Sequence, residues 1–299
     1  MAQIQLLVTA SVDSFRSRLE GDEDALTLED MPQFGASELG VRGLSVPASI
    51  LAGRDAAGLE RLRDAGDKAR CPMLLLQEVE PLDLASVDPA IRAAGVERIG
   101  RLARAANMLG CAHLGVSISG KDEDDAFELA ATTFREAMQL IDRFDVGLLI
   151  EARMGLAQSP DRLTELIKKI GGFRIGSLPD FRFAHDSGDF TGTLRRLAPY
   201  AGTILARVGK SADEKPAVAR SDKTPYNLIE GLEAILAVGY QHAICLDHAG
   251  GPNAADAIIA ARETIESALT AEAEDDGEED AGGPDAAASE ATAAEDAEP

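Results

Sequence analysis

Short apolar runs alternate along the chain with longer segments in which apolar residues recur at helical spacing. The runs fall at residues 4–8, 43–47, 73–76, 113–118, 146–150, 173–178, 203–208 and 243–246. Each is bounded by turn residues and too short for a helix, so the pattern predicts eight strands buried on both faces. Between them, Leu59 and Leu62, then Val96, Ile99, Leu102, Ala106 and Leu109, then Phe127, Ala131, Phe134, Met138 and Ile141 mark amphipathic helices. Leu163, Leu166, Ile167 and Ile170 continue the series, as do Leu228, Leu232, Ile235 and Leu236, and finally Ile258, Ile259, Ile265 and Leu269. Local chemistry supports these boundaries. Ser159-Pro160-Asp161 is a helix start with Pro in the first turn, and Gly110, Gly171 and Gly239 stand at helix ends. Successive strands lie roughly 34 residues apart, a normal length for a βα unit. Eight such units predict an α/β fold, a single (β/α)8 TIM barrel over residues 1–270. A doubly wound open sheet is the alternative; the Gly-rich turn expected after its first strand is missing at Thr9–Val12.

The chain is 45% apolar with 4% aromatic residues and no Trp, so its core must be aliphatic. The 52 acids against 29 bases are unevenly placed: twelve of the acids and none of the bases fall in residues 271–299. That Ala/Gly/Pro-rich end has nothing to bury and reads as a disordered acidic tail. A net charge of −23 disfavours nucleic acid as a partner, because a phosphate backbone would be repelled. No apolar run is long enough to span a membrane. Cys71, Cys111 and Cys245 are odd in number and set among apolar residues, which predicts reduced, buried thiols in a cytoplasmic protein. Nothing in the sequence bears on oligomeric state.

In a barrel, chemistry sits at the carboxyl ends of the strands. Those ends carry Ser45, Gln77 and Glu78, Ser117 and Ser119, Glu151 and Arg153, Asp180, Arg207 and Lys210, and Asp247 and His248. Glu151, Asp180 and Asp247 would converge on one mouth, where like charges repel unless a cation or a proton lies between them. A hard divalent ion, Mg2+ or Mn2+, answers that requirement, with His248 or His185 as a nitrogen ligand. The plainer alternative is that each carboxylate caps the following helix or pairs with a nearby Arg, as Glu151 with Arg153 or Asp180 with Arg182. Lys210 could neutralise a phosphate or developing negative charge, and Gly250-Gly251 opens a helix that could hold an anion or is an ordinary turn. His113 and His242 lie at strand starts, the end of a barrel that serves stability. Val208-Gly-Lys-Ser211 resembles the end of a P-loop, but Ile204 occupies the place of its first Gly.

Four stretches together resemble the sugar phosphate isomerase/epimerase superfamily, the xylose isomerase-like TIM barrels that include the family 2 apurinic endonucleases. They are Leu-Thr-Leu-Glu-Asp-Met-Pro at 26–32, Glu-Leu-Gly-Val-Arg-Gly-Leu at 38–44, Leu-Leu-Ile-Glu at 148–151 and Leu-Pro-Asp-Phe at 178–181. The resemblance spans residues 4–269. It implies a divalent metal held by Glu151, Asp180 and Asp247, the last standing where the family has Glu. It also implies an isomerase or epimerase acting on a sugar, sugar phosphate or related hydroxy-carbonyl compound. Glu151 or Asp247 would move the proton next to the carbonyl, and Lys210 would stabilise the resulting charge. Ser45 stands where the family's second strand ends in Glu, and Ala152-Arg153-Met154-Gly155 stands where Asn-His-Gly-Gly is frequent. Those departures leave a second expectation open, a barrel that binds without catalysing. An endonuclease ranks last, since four His and this net charge suit neither a multi-metal cluster nor a DNA groove.

Overall fold

A computed structural model describes residues 6–21, 25–153, 155–209 and 225–279, with side chains to residue 270. Eight strands form one parallel sheet: β1 (Leu7–Ser11), β2 (Leu44–Pro47), β3 (Met73–Leu82), β4 (His113–Ile118), β5 (Gly147–Glu151), β6 (Ile175–Leu178), β7 (Thr203–Val208) and β8 (Ala243–His248). Their order is β6-β5-β4-β3-β2-β1-β8-β7, with β1 paired to both β2 and β8. The ring closes between β6 and β7 through two isolated bridges, Ser177 with Ala201 and Asp180 with Leu205. The Leu205 amide donates to Pro179 O at 2.8 Å across the same join. The fold is the expected single-domain TIM barrel.

Helices between the strands cover the outside. The main ones are Ala56–Ala69, Pro89–Leu109, Asp124–Ile141, Pro160–Ile170, Phe190–Leu197, Leu228–Leu236 and Ala254–Glu279. Side-chain caps start several of them: Asp55 accepts from Gly58 N (2.8 Å), Asp88 from Ala90 N (2.8 Å) ahead of Pro89, and Asn227 from Ile229 N (3.0 Å). The last helix extends nine residues into the segment read as a tail, and residues 280–299 lie outside the described residues. No helix among the described residues is long and apolar enough to cross a membrane.

Two apolar layers result. The larger joins the outer face of the strands to the helices and includes Val8, Ala10, Leu76, Leu114, Val116, Leu148, Ile150, Ile244 and Leu246. A smaller cluster inside the ring consists of Leu75, Leu149, Leu178, Leu205 and Cys245. Alternate residues of each strand feed the two layers, as the period of two demands. All three cysteines are free and buried, as expected.

Two strands depart from the sequence reading: β3 runs on to Leu82, six residues past its apolar run, and β1 is shifted along the chain. Its pairing runs Leu7 with Ala243 through Ser11 with Ser45, three residues beyond the predicted end at Val8. The apolar run ended there only because Thr9 and Ser11 face the polar inside of the ring, while Val8, Ala10 and Val12 stay in the outer core.

Candidate active site at the barrel mouth

Two residues beyond each member of the inner cluster, on the same face of the strand, a polar residue follows. Leu75 leads to Gln77, Leu149 to Glu151, Leu178 to Asp180, Leu205 to Arg207 and Cys245 to Asp247. All five second members line one cavity, together with Ser11, Asp13, Ser45, Pro47, Val79 and Arg153. Strand pleating therefore lays a charged layer over an apolar floor. The cavity has a volume of about 70 Å³, room for a few waters or the reacting end of a small molecule.

Glu151 is only 2% exposed. Its Oε1 takes the Arg153 Nε at 2.8 Å, while the buried Oε2 has no hydrogen-bond partner among the described residues. Burial pushes its carboxyl above the usual range; Arg153 opposes the shift and the Asp180 charge adds to it. Asp180 caps the short helix Phe181–Asp186, its Oδ1 accepting from the Arg182 amide at 2.7 Å. Burial raises this carboxyl too, against the Arg182 amide and the charge of Arg207. Arg207 and Asp247 are directly paired across β7 and β8, and Oδ2 of Asp247 accepts from Nε at 2.9 Å and lies 2.8 Å from Nη2. The Tyr226 hydroxyl donates to the Arg207 carbonyl.

The three carboxylates expected at the mouth are thus together. Both plain expectations for them hold in part: Asp180 is a helix cap, and Glu151 does pair with Arg153, although in the interior. The Arg182 guanidinium reaches Asp186 instead, at 2.9 Å. His248 is a correction. It falls one residue out of phase with Asp247, shares the outward face with Leu246, and lies against Gly209, where an added Cβ would meet its ring at 2.6 Å. Its Nδ1 accepts from the Gly250 amide at 3.1 Å, so Gly250-Gly251, both with positive φ, form the ordinary turn. His185 lies on Phe181–Asp186 with Nδ1 3.2 Å from Asp186 and does not line the cavity. Glu78 turns outward to Arg98, 2.6 Å away. Lys210 lies outside the described residues.

Ser11, Asp13 and Ser14 were missed as site residues. The signal for Ser11 and Asp13 is the alternation Val8-Thr9-Ala10-Ser11-Val12-Asp13 past the apolar run, whereas Ser14 lies in the helical turn Val12–Phe15 and carries no such signal. Arg153 and Arg207 were seen at strand ends, but their pairing with buried carboxylates follows only from register.

The donor set does not fit a resident divalent ion in this arrangement. Among the described residues no three His, Cys, Asp or Glu side chains are grouped to hold a metal. Glu151 and Asp247 are each engaged by a guanidinium, and no imidazole lines the cavity. The expected set of Glu151, Asp180, Asp247 and His248 around Mg2+ or Mn2+ is not assembled among the described residues.

Comparison with solved structures gives the same architecture. An L-ribulose 3-epimerase superposes with a TM-score of 0.72 at 14% identity, covering 93% of this chain and 99% of its own. D-psicose 3-epimerase from Clostridium cellulolyticum H10, solved with D-tagatose, gives 0.68 at 14% identity over 88% and 99%. The IOLI protein, solved with a bound zinc atom, gives 0.65 at 11% identity over 88% and 96%. No curated protein matches the chain in sequence. The model of the xylose isomerase-like TIM barrel matches residues 35–210, more than half of the sequence. With that match and an eight-stranded parallel barrel whose mouth holds Glu151 and Asp180, the chain belongs to the xylose isomerase-like TIM barrel family.

Proposed function

We propose that the protein is an isomerase or epimerase that moves a proton next to the carbonyl of a sugar, sugar phosphate or related hydroxy-carbonyl compound. The observation that carries this reading is Glu151: a carboxyl in the cavity wall, lifted above the ordinary range by burial, with one oxygen left without a partner among the described residues. Such a group is suited to general acid–base work. Ser11, Ser45 and Gln77 line the same cavity and supply hydrogen-bonding groups suited to substrate hydroxyls. The sugar class draws support from fold neighbours named as L-ribulose and D-psicose 3-epimerases.

In the reaction, Glu151 takes the proton from the carbon beside the carbonyl. The C–H electron pair becomes a C=C bond and the carbonyl electrons move onto oxygen. The proton of the adjacent hydroxyl then passes to the first oxygen, the second oxygen becomes the carbonyl, and return of the carbon-bound proton to the former carbonyl carbon gives the isomer. Inversion at one carbon needs a second acid on the opposite face, a role we give to Asp247, three strands further round the ring. Incubation in D2O with a panel of ketoses, aldoses and their phosphates, read by NMR, tests this. Deuterium should enter at the carbon beside the carbonyl, and Glu151→Gln should lower the rate by at least about 100-fold. No incorporation into any member would end the proposal.

The engagement of Glu151 and Asp247 by Arg153 and Arg207 favours a second reading, a barrel that binds such compounds without converting them. Saturable binding without exchange would select it.

A further inference from the structure

Three carboxylates drawn to one mouth require positive charge, and this chain supplies it from its own side chains. Arg207 is fixed by two contacts to Asp247, at 2.9 and 2.8 Å, and Arg153 by one to Glu151 at 2.8 Å. The carboxylate partners are almost covered, with side chains 3% exposed for Glu151 and 17% for Asp247. The guanidinium side chains stay 40% and 42% exposed while lining the cavity. Each guanidinium carries five N–H donors in a rigid fork and does not lose its charge. The contacts to the carboxylates occupy Nε of Arg153 and Nε and Nη2 of Arg207, so each fork keeps further N–H donors while its side chain lines the cavity. A fourth carboxylate in the lining, Asp13, is neutralised separately by Arg16, whose Nη2 lies 2.6 Å away.

We propose that Arg153 and Arg207 take the place of a divalent cation in this site, so that the protein works on its ligand without a metal. The assignment of a reaction rests on the proposed proton transfer; the statement about metal binding does not. In that reaction Glu151 removes the proton, and the electron pair passes through the new C=C bond to the carbonyl oxygen. The negative charge arriving there is met by the guanidinium N–H groups of Arg207. The fixed fork is already oriented, so no ion has to be recruited and no carboxylate has to move. Substrates that place an anionic or enolisable oxygen at the mouth, such as hydroxy-carbonyl compounds with a neighbouring carboxylate or phosphate, suit two cations better than neutral polyols do.

Mn2+ titration of the purified full chain, followed by electron paramagnetic resonance and calorimetry, tests the metal statement directly. The native protein should show no saturable site, whereas Arg153→Met combined with Arg207→Met frees the carboxylates and should tighten Mn2+ binding by at least about tenfold. Restoring charge balance with Glu151→Gln in that background should abolish the gain. A native protein that binds one equivalent of Mn2+ tightly, and loses it in Glu151→Gln or Asp180→Asn, overturns the proposal without any arginine variant. The D2O exchange assay is then run on protein dialysed against EDTA. An unchanged rate, with a drop of at least about 100-fold in Arg207→Met, supports Arg207 as the electrophile. A rate lost on dialysis and restored by Mn2+ refutes it. If no exchange occurs under either condition, the functional proposal fails while the titration still decides this one.

Discussion

Ser14 ties the first turn of the chain to the end of the last strand: its Oγ accepts the His248 amide at 2.9 Å and donates to Asp247 Oδ1 at 3.3 Å. Ser14 itself is buried in the helical turn Val12–Phe15. Ser14→Ala leaves the His248 amide and one Asp247 oxygen each short of a partner, a loss of about 1–3 kcal/mol in the folded state. Urea denaturation should register that loss. Ligand binding or exchange should fall by more than stability explains, because among the described residues Asp247 then keeps Arg207 alone to orient it.

Gly176 on β6 faces the Tyr200 carbonyl, and a Cβ there would stand 2.4 Å from that oxygen. The obstacle is backbone, so neither side can give way cheaply. Gly176→Ala should cost about 1–3 kcal/mol by forcing β6 away from the turn Ala198–Tyr200 that precedes β7. Thermal unfolding checks the cost. A variant as stable as the parent would mean that β6 and this turn are not packed as described.

Glu151 gives stability a pH dependence of known sign. Its folded carboxyl sits above the unfolded value because burial outweighs Arg153. The folded state therefore binds the proton more tightly. The stabilisation from this linkage is complete below the unfolded pKa and is lost as pH rises through the folded one. Measured against Glu151→Gln, the native protein should lose relative stability as pH climbs above 4.5. Chemical denaturation at a series of pH values decides; a native protein that gains stability over Glu151→Gln as pH rises contradicts the burial argument.

Burial pushes the thiol of Cys71 up to about 11 and those of Cys111 and Cys245 up to about 12. Cys245 also donates to the Ser45 hydroxyl at 3.2 Å. Few thiolates exist at neutral pH, and reactivity follows the thiolate. A disulfide reagent should label none of the three in native protein at pH 8 and all of them after denaturation. Labelling that tracks pH instead of unfolding would place at least one thiol at the surface.

Much of this architecture was readable from the chain because strands buried on both faces leave apolar runs; β4 and β7 coincide with their predicted spans at both ends. Glu151, Asp180 and Asp247 were found because a carboxylate terminating such a run is conspicuous. His248 shows the limit of that logic: adjacency to a strand end does not fix which face a side chain takes, and the phase set by Cys245 and Asp247 turns it away. Arg207 shows another. Its partner lies forty positions along the chain, and only the register between β7 and β8 sets them side by side. The polar half of β1 was lost because its alternation is written in Thr9 and Ser11 and not in apolar residues.

Seven of the eight junctions around the ring are laddered, and the eighth is a clasp of two bridges and the amide bond from Leu205 to Pro179. Asp180 and Arg207 stand on opposite sides of that clasp. Loosening it widens the gap between one acid and one base while every other neighbour keeps its spacing. The thinnest join of the ring therefore lies between an acid and a basic residue of the mouth.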